Sequence, residues 1–286
     1  MSNDVSKAVL ITGCSSGIGR ATAEHLAERG WTVYATARRP ESIADLEAKG
    51  CKLLALDVND EASMQQAVST VEQAEGAVGV PVNNAGYSQS GAVEAVPLDE
   101  VRRQFETNVF GLVRMCQLAL PGMRGQRWGR IVNVSSMGGK LVFPGGGFYH
   151  GTKYAVEAIS DALRFEVRGF GIDVVIIEPG LITTEFGETA AGTVADATPD
   201  DGAYGKFNAA VAKATKEAYE GPLAKLGGGP ETVARAIEKA ISKRRPKTRY
   251  KVTASARMAL AQRRLMTDRM WDGLLRSQFP APGKSG

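Results

Sequence analysis

Short apolar runs alternate along the chain with longer segments whose apolar residues recur every three or four positions. Residues 8–12, 32–37, 52–56, 78–83, 130–135 and 173–178 are runs of five or six residues. They read as buried strands of a parallel sheet, since such strands are apolar on both faces. Between them, Ala21–Arg29, Glu61–Glu75, Asp99–Met123 and Tyr149–Arg168 carry helical spacing; in the second, Met64, Val68 and Val71 mark one face. Pro40–Lys49 predicts a short helix, Thr232–Ser242 another, and Thr248–Val252 a last strand. This rhythm predicts an α/β fold, a doubly wound parallel sheet with helices on both faces, in one domain. Pro81 stands inside the fourth strand, where its missing N–H predicts a local fault in the ladder.

Two stretches depart from the rhythm. Residues 185–229 follow the end of the sixth strand and are rich in Gly, Ala and Thr. Ligands of such sheets sit outside the strand ends, so this insertion is a candidate helical substrate lid. Within it, Ala203–Leu226 reads as a helix with Tyr204, Phe207, Val211 and Tyr219 in its apolar content. Residues 254–286 extend past the last strand, and Met258, Leu260, Leu265, Met270, Trp271, Leu274, Leu275 and Phe279 predict one or two amphipathic helices.

Composition narrows the class. The apolar fraction is 43%, with no run near the roughly 18 residues of a membrane span. The first residues show no charged, apolar and cleavable series of a signal peptide. Cys14, Cys51 and Cys116 are scattered and odd in number. That suits a reducing cytoplasm better than a disulfide framework. His25 and His150 have no cluster of metal ligands beside them in sequence, which argues against a metal site; His25 is expected to be structural. The net charge is +4, and eleven Lys/Arg against two acidic residues fall between Lys243 and Arg276. An anionic membrane surface, nucleic acid or an acidic partner would fit, but the plainest reading is the solvated face of a terminal helix.

Chemistry-bearing residues stand at the strand ends. After the first strand comes Thr12-Gly13-Cys-Ser15-Ser16-Gly17-Ile18-Gly19-Arg20. Glycines there let the backbone approach a pyrophosphate, and the helix behind favours negative charge. The second strand ends in Ala37-Arg38-Arg39, with no carboxylate to bind the adenosine ribose hydroxyls. An arginine in that place accommodates a 2′-phosphate, which points to NADP(H) over NAD(H). Tyr149 and Lys153 are four apart, on one face of a helix. A phenol titrates near 10 when unperturbed and is lowered by a neighbouring ammonium. So tuned, it can exchange a proton with an alcohol oxygen. Ser136 can donate to the same oxygen. Alone, Tyr-x-x-x-Lys is common and is most often a solvated helix face; its weight comes from the other motifs.

Together these motifs resemble the short-chain dehydrogenase/reductase family, whose fold is a Rossmann fold, from Lys7 to about Val252. The resemblance assigns Gly13, Ser15, Ser16, Gly17, Ile18 and Gly19 to the coenzyme loop, and Asp57 with Val58 to the adenine. Asn84, Ala85 and Gly86, after Asn83, would wall the adenosine pocket. Asn108, Ser136, Tyr149 and Lys153 would form the catalytic tetrad. Pro179, Gly180, Ile182 and Thr184 would hold the nicotinamide end. It further implies that Lys153 binds the nicotinamide ribose, that Asn108 holds a relay water, and that the chain is a homo-oligomer built on the helices containing Asn108 and Tyr149. The lid and extension look similar to members acting on steroids, retinoids or other lipophilic alcohols and ketones, and Tyr87, Phe143 and Phe148 suit an apolar substrate. The expected function is NADP(H)-dependent interconversion of a secondary alcohol and its ketone. The alternatives are an NAD(H)-dependent alcohol dehydrogenase of the same fold, or a coenzyme sensor without turnover. Ser16 departs from members with a basic residue before the second glycine, so NADP(H) preference rests on Arg38 with Arg39 as helper. Gly145-Gly146-Gly147 is expected to be adaptable.

Overall fold

The computed structural model describes residues 5–184, 192–193 and 202–282; the rest of the expected lid, 185–191 and 194–201, lies outside them. Seven parallel strands form one sheet in the order β3-β2-β1-β4-β5-β6-β7. They are β1 (Val9–Ile11), β2 (Val33–Ala37), β3 (Lys52–Ala55), β4 (Val80–Asn83), β5 (Gly129–Val134), β6 (Ile172–Glu178) and β7 (Arg249–Lys251). The order reverses between β1 and β4, and that switch opens a crevice at the carboxyl ends of the strands.

Helices cover both faces. On one, α1 (Gly17–Glu28) and α7 (Pro230–Ser242) pack Leu26, Val233 and Ile237 against Val9, Ile11 and Val82. His25 Nε2 lies 2.8 Å from Glu238 and ties these helices together, a structural role. On the other, α2 (Glu61–Glu75), α4 (Leu112–Gln126) and α5 (Gly147–Val167) bury Val68, Met115 and Val156 on Leu10 and Ile131. Each such side chain contributes about 1.5–3 kcal/mol on leaving water. Polar groups cross this core in a chain: Asn83 donates to Asn133 at 2.8 Å, and Asn133 to Ser160 at 2.9 Å, locking β4, β5 and α5.

Three elements differ from the sequence pattern. The helix expected over Asp99–Met123 is α3 (Leu98–Phe105), a π-helical stretch at Glu106–Gly111, and then α4. The short helix at Pro40–Lys49 is 3₁₀ in character and kinked at Ile43. The lid helix is α6 (Gly205–Glu220), followed by a 3₁₀ turn at Pro222–Leu226 because Gly221 leaves helical geometry. Pro81 sits in unbroken register with Leu10 of β1. Val80 donates to Ala8 on that side, so the missing donor faces β5, where pairing runs only through Val82↔Val132 and Asn83↔Asn133.

The extension folds as α8 (Ala254–Leu265) and α9 (Asp268–Gln278), each opened by a threonine cap, Thr253 and Thr267. Leu260 and Trp271 form a third core with Leu141, Met137 and Phe143, so the extension packs on the segment after β5. Among the described residues no helix is long and apolar enough to cross a membrane.

Candidate active site

The strand ends open into one cavity of about 1320 Å³. A single drug-sized ligand needs roughly 300–1,000 Å³, so there is room for a dinucleotide and a second molecule. Every site residue expected from the sequence lines it except Gly19 and Asn108, which stand behind the wall.

One half is a cradle of backbone. Gly13 and Gly17 take φ of 75° and 58°, which a side chain disfavours. A Cβ on Gly19 would collide with the Gly13 carbonyl and the Asn84 amide, so α1 can start this close to β4 only with glycine there. Asn84 Nδ2 donates to the carbonyls of Thr12 and Gly13 at 3.0 and 3.1 Å, and the backbone N–H groups of Asn84 and Ala85 both donate to Thr12 Oγ1 at 3.0 Å. The first turn of α1 carries no acidic side chain, which leaves its positive end open to an anion. Arg38, exposed at the end of β2, and Asp57, after β3, wall the outer end. Arg39 is not on the wall; its carbonyl accepts from Ser42 and shapes the turn.

The other half lies under α5. Ser136 Oγ accepts from the Gly138 N–H at 3.0 Å and also hydrogen-bonds Tyr149. Burial holds the Tyr149 phenol above its ordinary value; the bond to Ser136 pulls the other way, and the Tyr219 phenol on α6 adds to the rise. Lys153 is buried and donates to the Val134 carbonyl at 2.9 Å, with its Nζ 5.8 Å from the Tyr149 ring centre. Burial draws Lys153 down to about 8, opposed by the Glu157 carboxylate one turn on. Desolvation is the largest influence on the phenol here, and it keeps Tyr149 a proton donor. Asn108 lies in the π-helical stretch. Its Oδ1 accepts from Tyr87 N at 3.0 Å, and its Nδ2 donates to Tyr87 O at 2.8 Å and to Thr152 at 3.1 Å. These bonds fasten the wall beside the tyrosine.

A family model for short chain dehydrogenase matches residues 7–194. The chain belongs to the short-chain dehydrogenase/reductase family. It is 36% identical over 273 residues to an NADPH-dependent 3-dehydrocapnine reductase of Ornithobacterium rhinotracheale, a match covering 92% of this chain and 94% of that one. It is 44% identical over 179 residues to a 3-ketodihydrosphingosine reductase of Bacteroides thetaiotaomicron, covering 62% of this chain and just 65% of the relative. A Burkholderia phymatum short-chain dehydrogenase/reductase solved in complex with NAD is 25% identical, covers 100% of both chains and superposes with a TM-score of 0.76.

Two residues of this short-chain dehydrogenase/reductase escaped sequence reasoning. His150 directs Nδ1 to the Gly138 carbonyl at 3.0 Å and accepts from Phe143 N–H on Nε2 at 3.2 Å. That pattern requires a neutral ring with the proton on Nδ1, and burial lowers its pKa to about 4. The imidazole thus clasps both loops beside Tyr149. Tyr219 read as lid apolar content, yet it lines the cavity. The three aromatic expectations divide: Tyr87 and Phe143 line the cavity, whereas Phe148 does not. Nor are the three glycines simply adaptable. Gly145 has φ of 79°, its carbonyl accepts from Gly91 N–H at 2.7 Å, and a Cβ there would meet Val211 of α6. Gly145 thus allows close approach between the loop and the lid helix, while Gly146 makes room for the His150 ring.

Proposed function

We propose that the protein is an NADP(H)-dependent oxidoreductase that interconverts a secondary alcohol and its ketone on a lipophilic substrate. The observation that carries this is the single cavity joining the glycine cradle and Arg38 at one end to Ser136, Tyr149 and Lys153 at the other. The cradle suits a dinucleotide: Gly13 and Gly17 hold positive φ, Gly19 lets α1 start against the Gly13 carbonyl, and the first turn of α1 carries no acidic side chain to repel a pyrophosphate. The α1 N-terminus would hold the pyrophosphate, Asp57 and Val58 the adenine, and Arg38 the 2′-phosphate. Pro179, Gly180, Ile182 and Thr184 would hold the nicotinamide end. A reduced nicotinamide bound there supplies the hydride. Ser136 orients the substrate oxygen by hydrogen bonding. Tyr149, kept protonated by burial, gives its proton to that oxygen in reduction and takes it back in oxidation. Lys153 stabilises the phenolate left behind, and Asn108 fixes the wall that positions both. Residues of α6, α8 and α9, including Tyr219, Met258 and Trp271, close the substrate end and act as its lid. Relatives named for reducing 3-oxo compounds, one a keto sphingoid base, favour a 3-oxo lipid and the reductive direction. The NAD-bound neighbour favours a second reading, an NAD(H)-dependent dehydrogenase.

The test is coenzyme oxidation over 3-oxo compounds of increasing chain length, with NADPH and NADH side by side. Turnover with NADPH that improves with chain length is the expected result. Turnover with NADH alone moves the protein to the second reading. No turnover despite tight coenzyme binding would overturn the catalytic reading in favour of a sensor.

A further inference from the structure

The exposed side of α8 has a composition that neither the fold nor the chemistry requires. Arg257, Met258, Ala261, Arg264 and Leu265 are all exposed and, at the 100° step of a helix, fall on one contiguous face. The opposite side carries Ala256 and Leu260, which are buried. Leu265 is 83% exposed and Met258 58%, a high exposure for large apolar side chains. After the turn, Met270 is 54% exposed beside exposed Arg269. The helix Ala254–Leu265 contains three arginines and no acidic residue. Its third arginine, Arg263, faces inward to Asp268 and Trp271; Arg257 donates through Nε to the Lys251 carbonyl at 3.4 Å, so that its charge and that of Arg264 meet no carboxylate among the described residues.

Apolar residues flanked by arginines on one helix face suit the boundary between headgroups and acyl chains of a bilayer. The arginines add attraction to anionic lipid. A solvated helix face accounts for the arginines and leaves Leu265, Met258 and Met270 in water without a reason. Met258 supplies the link to the site, since it belongs to this face and also lines the cavity. A lipophilic molecule would reach the cavity from the side on which Met258 stands.

We infer that the outer face of α8, with Met270 and Arg269, docks the protein on an anionic lipid bilayer, with the cavity mouth at Met258 turned to the membrane. This deepens the proposed reading of a lipophilic substrate and rests on it for its purpose.

The experiment is sedimentation of the purified full chain with vesicles, without substrate or coenzyme. One set holds equal parts of phosphatidylcholine and phosphatidylglycerol, the other phosphatidylcholine alone. The wild type is expected to sediment with the anionic set and to be released by salt. Arg257→Glu/Arg264→Glu should weaken binding by at least about 25-fold, taking about fivefold per arginine. Leu265→Ser should weaken it at unchanged charge, while both variants keep wild-type turnover on a short, water-soluble ketone. Equal sedimentation with both sets, none with either, or no effect of the variants would overturn the inference. So would binding of duplex DNA in place of vesicles, or self-association lost in Leu265→Ser without any vesicle binding. Vesicle binding without reduction of any lipid ketone would leave this surface standing and remove the substrate reading. Reduction of lipid ketones from micelles without vesicle binding would do the reverse.

Discussion

Glu178 closes β6 just before the turn at Pro179-Gly180, and its side chain is 1% exposed. Its Oε1 lies 3.5 Å from Arg249 Nε, while its Oε2 is buried without a partner. Burial first, and then the nearby Glu157 carboxylate, push Glu178 up to about 7 from 4.5; Arg249, Lys140 and Lys251 pull against them. The folded value is raised above the unfolded one. The stabilising contribution is therefore complete below pH 4.5 and is lost as pH rises to about 7. Raising the carboxyl from 4.5 to about 7 corresponds to about 3 kcal/mol. Glu178→Gln has no charge to bury, and Arg249 keeps Glu157 at 2.9 Å and Asp161 at 2.6 Å. Urea unfolding followed by circular dichroism, at fixed protein concentration from pH 4.5 to 8, should show the variant gaining about 3 kcal/mol on the wild type across that range. The comparison must be between the two proteins. His150, lowered to about 4 from 6.5, contributes stability that grows over an overlapping range and masks the trend in the wild type alone. A wild-type to variant difference constant within about 0.5 kcal/mol over the whole range would refute the reasoning.

Three other outcomes follow from the same structure. Arg38→Ala should weaken NADPH by about 10–100-fold, the worth of a charge-assisted hydrogen bond, and leave NADH nearly unchanged; titration of coenzyme fluorescence measures both, and equal losses would free Arg38 from that role. Gly19→Ala puts a methyl against the Gly13 carbonyl and the Asn84 amide, so coenzyme affinity in the same titration should collapse while circular dichroism still reports a folded sheet. The neutral His150 clasp contributes stability that is full above pH 6.5 and is lost as pH falls toward 4, so His150→Gln should flatten the acid side of the unfolding profile; an unchanged acid slope would dismiss the clasp.

The strands and the glycine loop before α1 were legible because buried parallel strands leave unbroken apolar runs and because tight turns with positive φ favour glycine. Glu61–Glu75 matches its apolar spacing end to end, opened by Asp60, whose side chain accepts from Ala62 N–H. The π-helical stretch at Glu106–Gly111 was not legible, since one widened turn leaves the apolar spacing of a long helix nearly intact. Pro81 announced a fault, but only the strand order shows that it faces β5 and spares β1. The Tyr149 and Lys153 pair could be read from spacing, while the state of the phenol could not, because burial depends on what the rest of the chain lays over it. His150 gave no signal for a like reason. Its partners Gly138 and Phe143 are backbone groups brought to it by two loops. The cluster of Glu157, Glu178 and Arg249 is likewise a product of the sheet, which sets β6 and β7 beside α5.

The central claim is that Tyr149 delivers the proton to a substrate oxygen in a coenzyme-filled cavity. Tyr149→Phe keeps the ring and removes only the hydroxyl, so the fold and the cradle should be unaffected. The decisive measurement is kcat for ketone-dependent NADPH oxidation by this variant, alongside its coenzyme affinity. The account predicts wild-type affinity and a loss in kcat of about 10²–10⁴-fold, the usual worth of a positioned general acid. Turnover within a few-fold of wild type, with coenzyme still bound, would contradict it.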